Sequence, residues 1–413
     1  MHKKFLRFLG AFSALMIAVS MAPADAGAAA KHHAAHKSSA HHKKAAVSKQ
    51  ASGRRHGKGR VAKAGKAKPV QQAVITVKPH EDAPDFDFQP RIQEAQALAA
   101  KQPVLPGDMV VENGNLTRFT WVLVVGFKTG PLKVVRMDES GKNDADLTIT
   151  WPVNNYLNTK FSVQGVSGII VFAQRRPVRA KGGYEEAVYT AYAPELDTKT
   201  MRDAGLDYLR HLERLAYNRV NDHDVRSRTA PAMTVAQRIP RDMVLRLMIT
   251  EHVDPLHMKF VGIEQCVHEV LITIAANQDK AYAYARSSAG ALGLPQFMET
   301  SYHMVRDNYP AARLEPDFNL GMTNLHNAML ASLLLLDLEL TELPQSALKR
   351  FTESSKQLAA YLAAGYNRNP VNVVKTYLKT NSVTGGRAPF ENKMYVRIQG
   401  WVGDFLEREY GKS

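Results

Sequence analysis

The composition of the first 70 residues limits where this chain can form a folded core. They hold 15 Lys and Arg against one acid, Asp25, although the whole 413-residue chain has 54 Lys and Arg and 39 acids. From residue 27 onward they are mostly Ala, Lys, His, Gly and Ser, almost without apolar side chains larger than alanine. Because burial cannot offset the ordering entropy of such a segment, we predict that residues 27–70 are disordered and that the fold begins beyond them.

The extreme N-terminus has the pattern of a secretory signal peptide. Lys3 and Lys4 precede an uncharged apolar stretch from Phe8 to Met21, and Ala24-Asp25-Ala26 offers small residues at the positions that a signal peptidase recognises. The apolar stretch is short for a membrane-spanning helix, which needs about 20 residues. We therefore predict cleavage after Ala26 and export, to the periplasm or beyond, of a mature protein without a transmembrane span. No cysteine near the cleavage site is available to carry a lipid.

The distribution of charge argues against a nucleic-acid-binding protein. Beyond residue 70 the chain has 39 Lys and Arg and 38 acids, so the part that can fold is nearly neutral. A nucleic-acid-binding domain carries its basic excess on the fold itself. The basic segment 27–70 suits anionic polymers of the cell envelope instead. Its histidines, such as His32 and His33, have no fixed geometry, and we expect no metal there.

Residues 105–230 carry the signals of β structure. Five short segments rich in β-branched or aromatic residues alternate with turns that contain Gly and Asn. These segments are Trp121–Val125, Lys133–Met137, Leu147–Trp151, Gly168–Phe172 and Ala187–Ala193. A polar linker over residues 71–104, with a short helix at Arg91–Ala100, precedes them, and a helix over Thr198–Asn221 follows. We predict a β-rich accessory region that ends in this helix.

From residue 231 the pattern is almost entirely helical. Helical periodicity covers Arg241–Glu251, Met322–Leu340, Ser354–Leu362 and Met394–Tyr410. One interruption, Val270–Ile274 followed by a polar turn and Ala281–Ala285, has the rhythm of a β-hairpin. The sequence therefore predicts an α+β protein, in which an all-α domain over residues 231–413 contains a β-hairpin insertion and follows the β-rich region.

Four segments of the helical region carry motifs in a fixed order. Ala285–Met298 contains the pattern S-x-x-G-A-x-G-L, which begins at Ser287, and the polar Gln296 follows it. The other three segments are Glu315–Gly321, Ala363–Asn369, which contains Tyr366 and Asn367, and Pro389–Val396. They resemble the motifs of the soluble lytic transglycosylases, enzymes that cut the glycan strands of peptidoglycan, although the third segment has an extra glycine. The resemblance covers Ile239 to Tyr410 and implies a lysozyme-like fold for the C-terminal domain.

A further segment, Ile239–Pro255, resembles the catalytic helix of that family, I-P-x-x-L-x-x-A-x-x-x-E-S-x-F-x-P. The family's catalytic glutamate then corresponds to Glu251, with His252 in place of the serine. An alignment without gaps would instead put Gln278 at the catalytic position and imply an inactive protein. The choice of Glu251 requires an insertion over residues 256–284, whose Glu269 and Glu264 are the alternative catalytic acids.

Helical spacing supports Glu251 independently. Val244, Leu247, Met248 and Glu251 lie at i, i+3, i+4 and i+7, so the carboxylate shares the apolar face of its helix. Burial beside aliphatic side chains raises the pKa of a carboxyl group, and a general acid that works near neutral pH needs that shift. We predict that Glu251 is the catalytic acid, against the simpler interpretation of a glutamate that reaches solvent at a frayed helix end.

The resemblance implies the remaining roles. Tyr366 lies near Glu251 and orients the carboxyl group or the substrate, while Asn367 supports the cleft. Ser287 and Gln296 donate or accept hydrogen bonds with the sugar, although Ser287 serves equally well as a cap. The implied reaction uses one carboxylate, no metal and no cofactor, and it closes a 1,6-anhydro ring on N-acetylmuramic acid. The implied partners are the glycan strands of peptidoglycan.

Two alternatives stay open. A lysozyme-like hydrolase of the same bond would need a second acid, such as Glu264, because hydrolytic glycosidases usually use two carboxylates. A non-catalytic wall-binding or scaffolding protein is favoured by His252, by the insertion, and by Glu299, where the family has proline.

Overall fold

The computed structural model of this chain describes residues 85–151, 160–180 and 182–411. The signal peptide predicted over residues 1–26, the segment 27–70 and the linker up to residue 84 lie outside these ranges. The described residues belong to one compact unit. Within them no helix is long and apolar enough to cross a membrane.

An antiparallel sheet and one helix form the first part of the fold. Helix α1, Gln89–Lys101, is followed by the strands β1 Met109–Glu112, β2 Asn115–Gly126, β3 Lys133–Asp138, β4 Ile149–Thr150, β5 Ser162–Val163, β6 Ile170–Ala180 and β7 Gly183–Tyr189. The main sheet has the order β1-β2-β6-β7, with β3 also paired to β2, while β4 and β5 form a separate two-stranded sheet. The predicted strands Trp121–Val125 and Lys133–Met137 lie within β2 and β3. The other three overlap strands only in part: Leu147–Trp151 is strand only at Ile149–Thr150, Gly168–Phe172 covers only the start of β6, and Ala187–Ala193 continues beyond the end of β7.

Eleven further α-helices make up the rest of the described chain. They are α2 Lys199–Asp222, α3 Val235–Arg238, α4 Met243–Thr250, α5 Pro255–Asn277, α6 Glu299–Asn308, α7 Phe318–Thr323, α8 Leu325–Glu339, α9 Gln345–Thr352, α10 Ser355–Asn367, α11 Pro370–Thr380 and α12 Phe390–Tyr410. Helix α8 is buried almost all round, as expected for a central helix without a polar face. The stretch predicted as one helix over Met322–Leu340 is broken because Asn324 accepts a hydrogen bond from the backbone of Asn327 and begins a new helix.

The predicted β-hairpin insertion is wrong, because Val270–Ile274 lies inside helix α5 and Ala281–Ala285 forms turns. Leu271 and Ile274 pack into the core among the helices. Ile272, on another side of the same helix, packs into the core beneath the sheet. An aliphatic run buried on two sides has no polar face, so its sequence shows neither helical nor strand periodicity.

Helix α2 packs directly against α5 and α8. Leu206, Leu209 and Leu212 contribute to the core among the helices. Gly205 is required at the crossing with α5, because a Cβ there would lie 2.0 Å from the backbone oxygen of Leu271. The sheet and the helices are therefore joined by the packing of α2 and α5 as well as by the chain.

Candidate active site

The carboxyl group of Glu251 lies at the C-terminal end of α4. Val244, Leu247 and Met248 are fully buried along this helix, while Glu251 is partly exposed. The helix stops here because the next backbone N–H groups turn back, that of His252 donating to the oxygen of Ile249. The apolar face predicted from the sequence is therefore present, and the Glu251 carboxyl group lies at its C-terminal end.

Tyr395, from helix α12, is the hydrogen-bond partner of this carboxyl group. Its hydroxyl donates to Oε1 of Glu251 at 2.6 Å. Burial raises the pKa of Glu251 to about 7, and the hydrogen bond from Tyr395 acts in the opposite direction. Glu251 forms no ion pair with any residue that the structure describes. A carboxyl group in this state carries a proton for a large share of the time at neutral pH.

His252 connects the end of α4 to the segment from Ser287 to Gln296, which we call the glycine segment. Its Nε2 lies 2.8 Å from the backbone oxygen of Leu294, and its ring stacks on Tyr282 with centroids 3.6 Å apart. Burial lowers the pKa of His252 to about 4, so the ring is neutral and Nε2 carries the proton that the carbonyl accepts. The imidazole of His252 therefore holds the end of α4 and the glycine segment together.

Tyr366 reaches the same segment from helix α10. Its hydroxyl donates to the backbone oxygen of Pro295 at 2.7 Å. Burial, and next the negative charge of Glu251, raise the pKa of Tyr366 well above the usual value. The Tyr366 hydroxyl is therefore engaged by the glycine segment, and the charge of Glu251 acts on it.

The other expected substrate-binding side chains are largely occupied by local hydrogen bonds. Gln296 donates from Nε2 to the oxygens of Gly293, at 2.9 Å, and Ala285, at 3.2 Å. Ser287 accepts from the N–H of Ala291 at 3.0 Å, within a turn and not at the start of a helix. Both side chains thus shape the glycine segment, and Ser287 is not a helix cap, because no helix begins at it.

Asn367 lies at the last turn of α10, where it contacts helix α12. Its Oδ1 accepts from Nδ2 of Asn392 at 3.3 Å, and the same Asn392 amide donates to the backbone oxygen of Ala364 at 2.9 Å. Asn392 is almost fully buried. These contacts fix the segment that carries Tyr366 against the helix that carries Tyr395.

The alternative catalytic glutamates have surroundings that differ from that of Glu251. Burial acts to raise the pKa of Glu269, but the hydrogen bond from His257 and the charge of Lys160 outweigh it, and the pKa is lowered. Lys160 Nζ lies 2.6 Å from its carboxylate. Glu264 is exposed and pairs with Arg408. The lowered pKa of Glu269 does not favour a protonated acid at neutral pH. Gln278, which the sequence places in the turn of the predicted hairpin, is instead the residue at which α5 ends.

A second carboxyl group, that of Glu339, lies buried behind Tyr366. Its Oε2 has no hydrogen-bond partner among the described residues, and burial raises its pKa well above the usual value. A Cβ at Gly365 would lie 2.5 Å from this oxygen, which explains the extra glycine in the sequence Ala363–Asn367. Sequence reasoning missed Glu339, because its contact with Gly365 joins two helices that are distant in the chain.

Among the described residues, no three His, Cys, Asp or Glu side chains are grouped closely enough to hold a metal ion. Comparison of this chain with models of known protein families, with characterised proteins and with solved structures gives no match.

Proposed function

We propose that this protein is a peptidoglycan lytic transglycosylase whose helical region has a lysozyme-like fold. The observation that carries the proposal is the state of Glu251, a carboxyl group with a pKa near 7, a tyrosine hydrogen bond and no cationic partner among the described residues. These are the properties of a general acid that must later act as a base. The motif order around it supports the choice of substrate.

In the proposed reaction Glu251 donates its proton to the oxygen that links N-acetylmuramic acid to N-acetylglucosamine. The bond from C1 to that oxygen breaks, and the departing N-acetylglucosamine keeps the proton. The Glu251 carboxylate then takes the proton from the C6 hydroxyl of the muramic sugar, whose oxygen attacks C1 and closes the 1,6-anhydro ring. The acetamido group of the substrate stabilises the cationic centre in between. Water, metal and cofactor take no part.

Tyr395 contributes to both halves of this cycle. By donating to Oε1 it leaves Oε2 of Glu251 as the oxygen that carries the proton. The same hydrogen bond stabilises the carboxylate that remains after the first transfer. His252 and Tyr366 hold the glycine segment through Leu294 and Pro295, so that its backbone forms a fixed wall beside the carboxyl group.

The test is product analysis by mass spectrometry after incubation of purified peptidoglycan with the mature protein. We expect anhydro-muropeptides from the wild type and none from Glu251→Gln, since the amide cannot donate the proton. Glu269→Gln is the matched control and should retain activity. Products with a reducing end would identify a hydrolase instead, and anhydro products from Glu251→Gln would contradict the assignment of the acid.

A non-catalytic wall-binding protein is the second candidate. It is favoured by the side chains of Gln296 and Tyr366, whose donors are already used within the protein. Binding to peptidoglycan with no product from the wild type would support it. Export of the mature protein and binding of the basic segment 27–70 to anionic envelope polymers belong to the same proposal.

A further inference from the structure

The C-terminal helices concentrate positive charge that the rest of the fold does not balance by ion pairs. Residues 345–397 contain nine Lys and Arg and two acids, Glu353 and Glu391, and the remainder of α12 adds Arg408 and the acids Asp404, Glu407 and Glu409. None of the nine forms an ion pair with another residue that the structure describes, although many basic side chains elsewhere do. Like charges that are clustered without partners repel one another, so a cluster of this kind is typical of a surface that meets an anionic partner.

Large apolar side chains stand among these charges on the outer face of helix α12. Phe390 is 63% exposed and Trp401 is 40% exposed. The two are eleven positions apart, which puts them within about 20° of one another around the helix and about 16 Å apart along it. Lys393 and Arg397 lie between them on the same side, and the exposed Asp404 lies on that side just beyond Trp401. Tyr395, which points to Glu251, lies on the opposite side of this helix.

The end of helix α11 extends this surface. Leu378 is 63% exposed and is followed by the exposed Lys379. The last residue of α11, Thr380, lies against Gly386, whose backbone oxygen accepts a hydrogen bond from Nζ of Lys393 at 3.1 Å. The end of α11 is therefore adjacent to the first turn of α12. We call the combined surface the basic face, made of Leu378, Lys379, Phe390, Lys393, Arg397 and Trp401.

We infer that the basic face docks on a membrane surface that contains anionic phospholipid. Lysine and arginine side chains match the charge of the headgroups. The three large apolar side chains are placed to enter the boundary between headgroups and acyl chains, where tryptophan is favoured. An anionic polymer in solution would neutralise the charges but leave Leu378, Phe390 and Trp401 in water. A bilayer would also bury these apolar side chains, so it is the better match to this face.

Docking through this face would orient the site. Helix α12 separates the bilayer from Tyr395 and Glu251, which lie on its inner side. A helix with its side chains is about 10–12 Å across, so the carboxyl group would be held that far or farther from the headgroups. The inference does not depend on the reaction proposed for Glu251, because it rests on a different surface.

A fluorescent label placed at single cysteines tests the inference in the full-length mature chain. Cys266, the one native cysteine, is buried, and burial raises its pKa to about 12, so a surface cysteine is labelled selectively. The label is an environment-sensitive nitrobenzoxadiazole group on Leu378→Cys or Phe390→Cys. Phe260→Cys, at a side chain 87% exposed on helix α5, is the matched control.

We expect phosphatidylglycerol-containing vesicles to shift the emission to shorter wavelength at positions 378 and 390 but not at 260. Vesicles of phosphatidylcholine alone should shift none. Binding of the protein to the anionic vesicles without a shift at 378 and 390 would overturn the inference, because attachment would then come from the basic segment 27–70. An equal shift at position 260 would overturn it as well.

Charge reversal supplies a second measurement. Lys379→Glu combined with Arg397→Glu should weaken binding of the labelled protein to the anionic vesicles by about tenfold or more, as measured by the emission shift. Lys133→Glu combined with Lys142→Glu, at exposed positions beside the sheet, is the matched control and should leave it unchanged. Equal losses in both double variants would contradict a specific face. Saturating binding to soluble polyphosphate that depends on Lys379 and Arg397, without any shift on vesicles, would assign the face to a polymer and overturn the inference.

Discussion

At the scale of single residues, the pair formed by Glu251 and Tyr395 determines the chemistry available to the site. The carboxyl group is held at a pKa near 7 by burial, and the tyrosine hydroxyl keeps that value from rising further. Hydrogen bonds to charged groups contribute about 1.5–3 kcal/mol. In the proposed reaction, the position of the pH optimum therefore depends on this one hydroxyl group.

Replacement of Tyr395 by phenylalanine should move the pH profile of kcat/KM. Without the hydrogen bond the carboxylate is less stable, so the pKa of Glu251 rises and the loss of activity at alkaline pH begins at least about one unit higher. We also expect about a tenfold lower maximum, because the carboxyl group loses its fixed orientation. Tyr377→Phe, which removes a hydroxyl that accepts from Arg350, is the control. An unchanged profile in Tyr395→Phe would remove Tyr395 from the proposed mechanism.

The same pKa has a consequence for stability. Folding raises the pKa of this carboxyl group from 4.5 to about 7. Its ionisation therefore destabilises the folded state, and the free energy of unfolding falls as the pH rises through that window. Glu251→Gln should therefore be more stable than the wild type at pH 8, by at least about 1 kcal/mol, and equally stable near pH 4. Urea unfolding at the two pH values measures this. A difference that is the same at both would show that ionisation is not its cause.

At the scale of elements, sequence patterns located most helices and strands but not the contacts that give them their roles. Strands β2 and β3 were predictable because they are rich in β-branched and aromatic residues. Helix α2 was predictable because its leucines recur at helical spacing. Helix α5 was not, because its aliphatic residues face two cores and leave no polar side. The position of Glu251 followed from the apolar face of α4. Its partner Tyr395 lies 144 residues away, and only the packing of α12 on α4 brings the two together.

The packing of α8 against α10 gives a prediction at this scale. Gly365→Ala would place a methyl group 2.5 Å from Oε2 of Glu339, a buried atom with little freedom to move. We expect a loss of about 1–3 kcal/mol in the free energy of unfolding. Gly400→Ala, in α12 where no atom lies within 4 Å, should instead gain about 0.5–1 kcal/mol.

The origin of the Gly365 effect is tested by a second substitution. If the contact with the carboxyl group causes the loss, Glu339→Ala combined with Gly365→Ala should be less destabilised than the sum of the two single variants. Additive effects in this double-mutant cycle would show that the cost arises elsewhere.

At the scale of the whole molecule, the sheet and the helices share a core. Ile272, Ala275 and Ala276 of helix α5 pack with Val124 and Phe172 of the sheet. Asn277, at the end of α5, also exchanges two hydrogen bonds with the backbone of Thr190, just after β7. We therefore expect the described part of the chain to unfold in one cooperative step.

The three tryptophans allow this to be measured. Two of them, Trp121 and Trp151, lie in the sheet region, so fluorescence of a Trp401→Phe variant reports on the sheet, while far-ultraviolet circular dichroism reports mainly on the helices. The two urea transitions should coincide. Ile272→Ala should lower the free energy of unfolding by about 2–5 kcal/mol in both measurements. Two separate transitions, or a shift of only one, would contradict a shared core.

The contact between Tyr282 and the sheet has a consequence for the assembly of the candidate site. Tyr282 adopts a left-handed backbone conformation, with φ of 56°, and its N–H donates to the hydroxyl of Tyr189 in β7 at 3.3 Å. The ring of Tyr282 in turn supports His252. Strand β7 precedes this tyrosine by about ninety residues in the chain. The support of His252 beside Glu251 therefore requires that β7 and the helices have both formed.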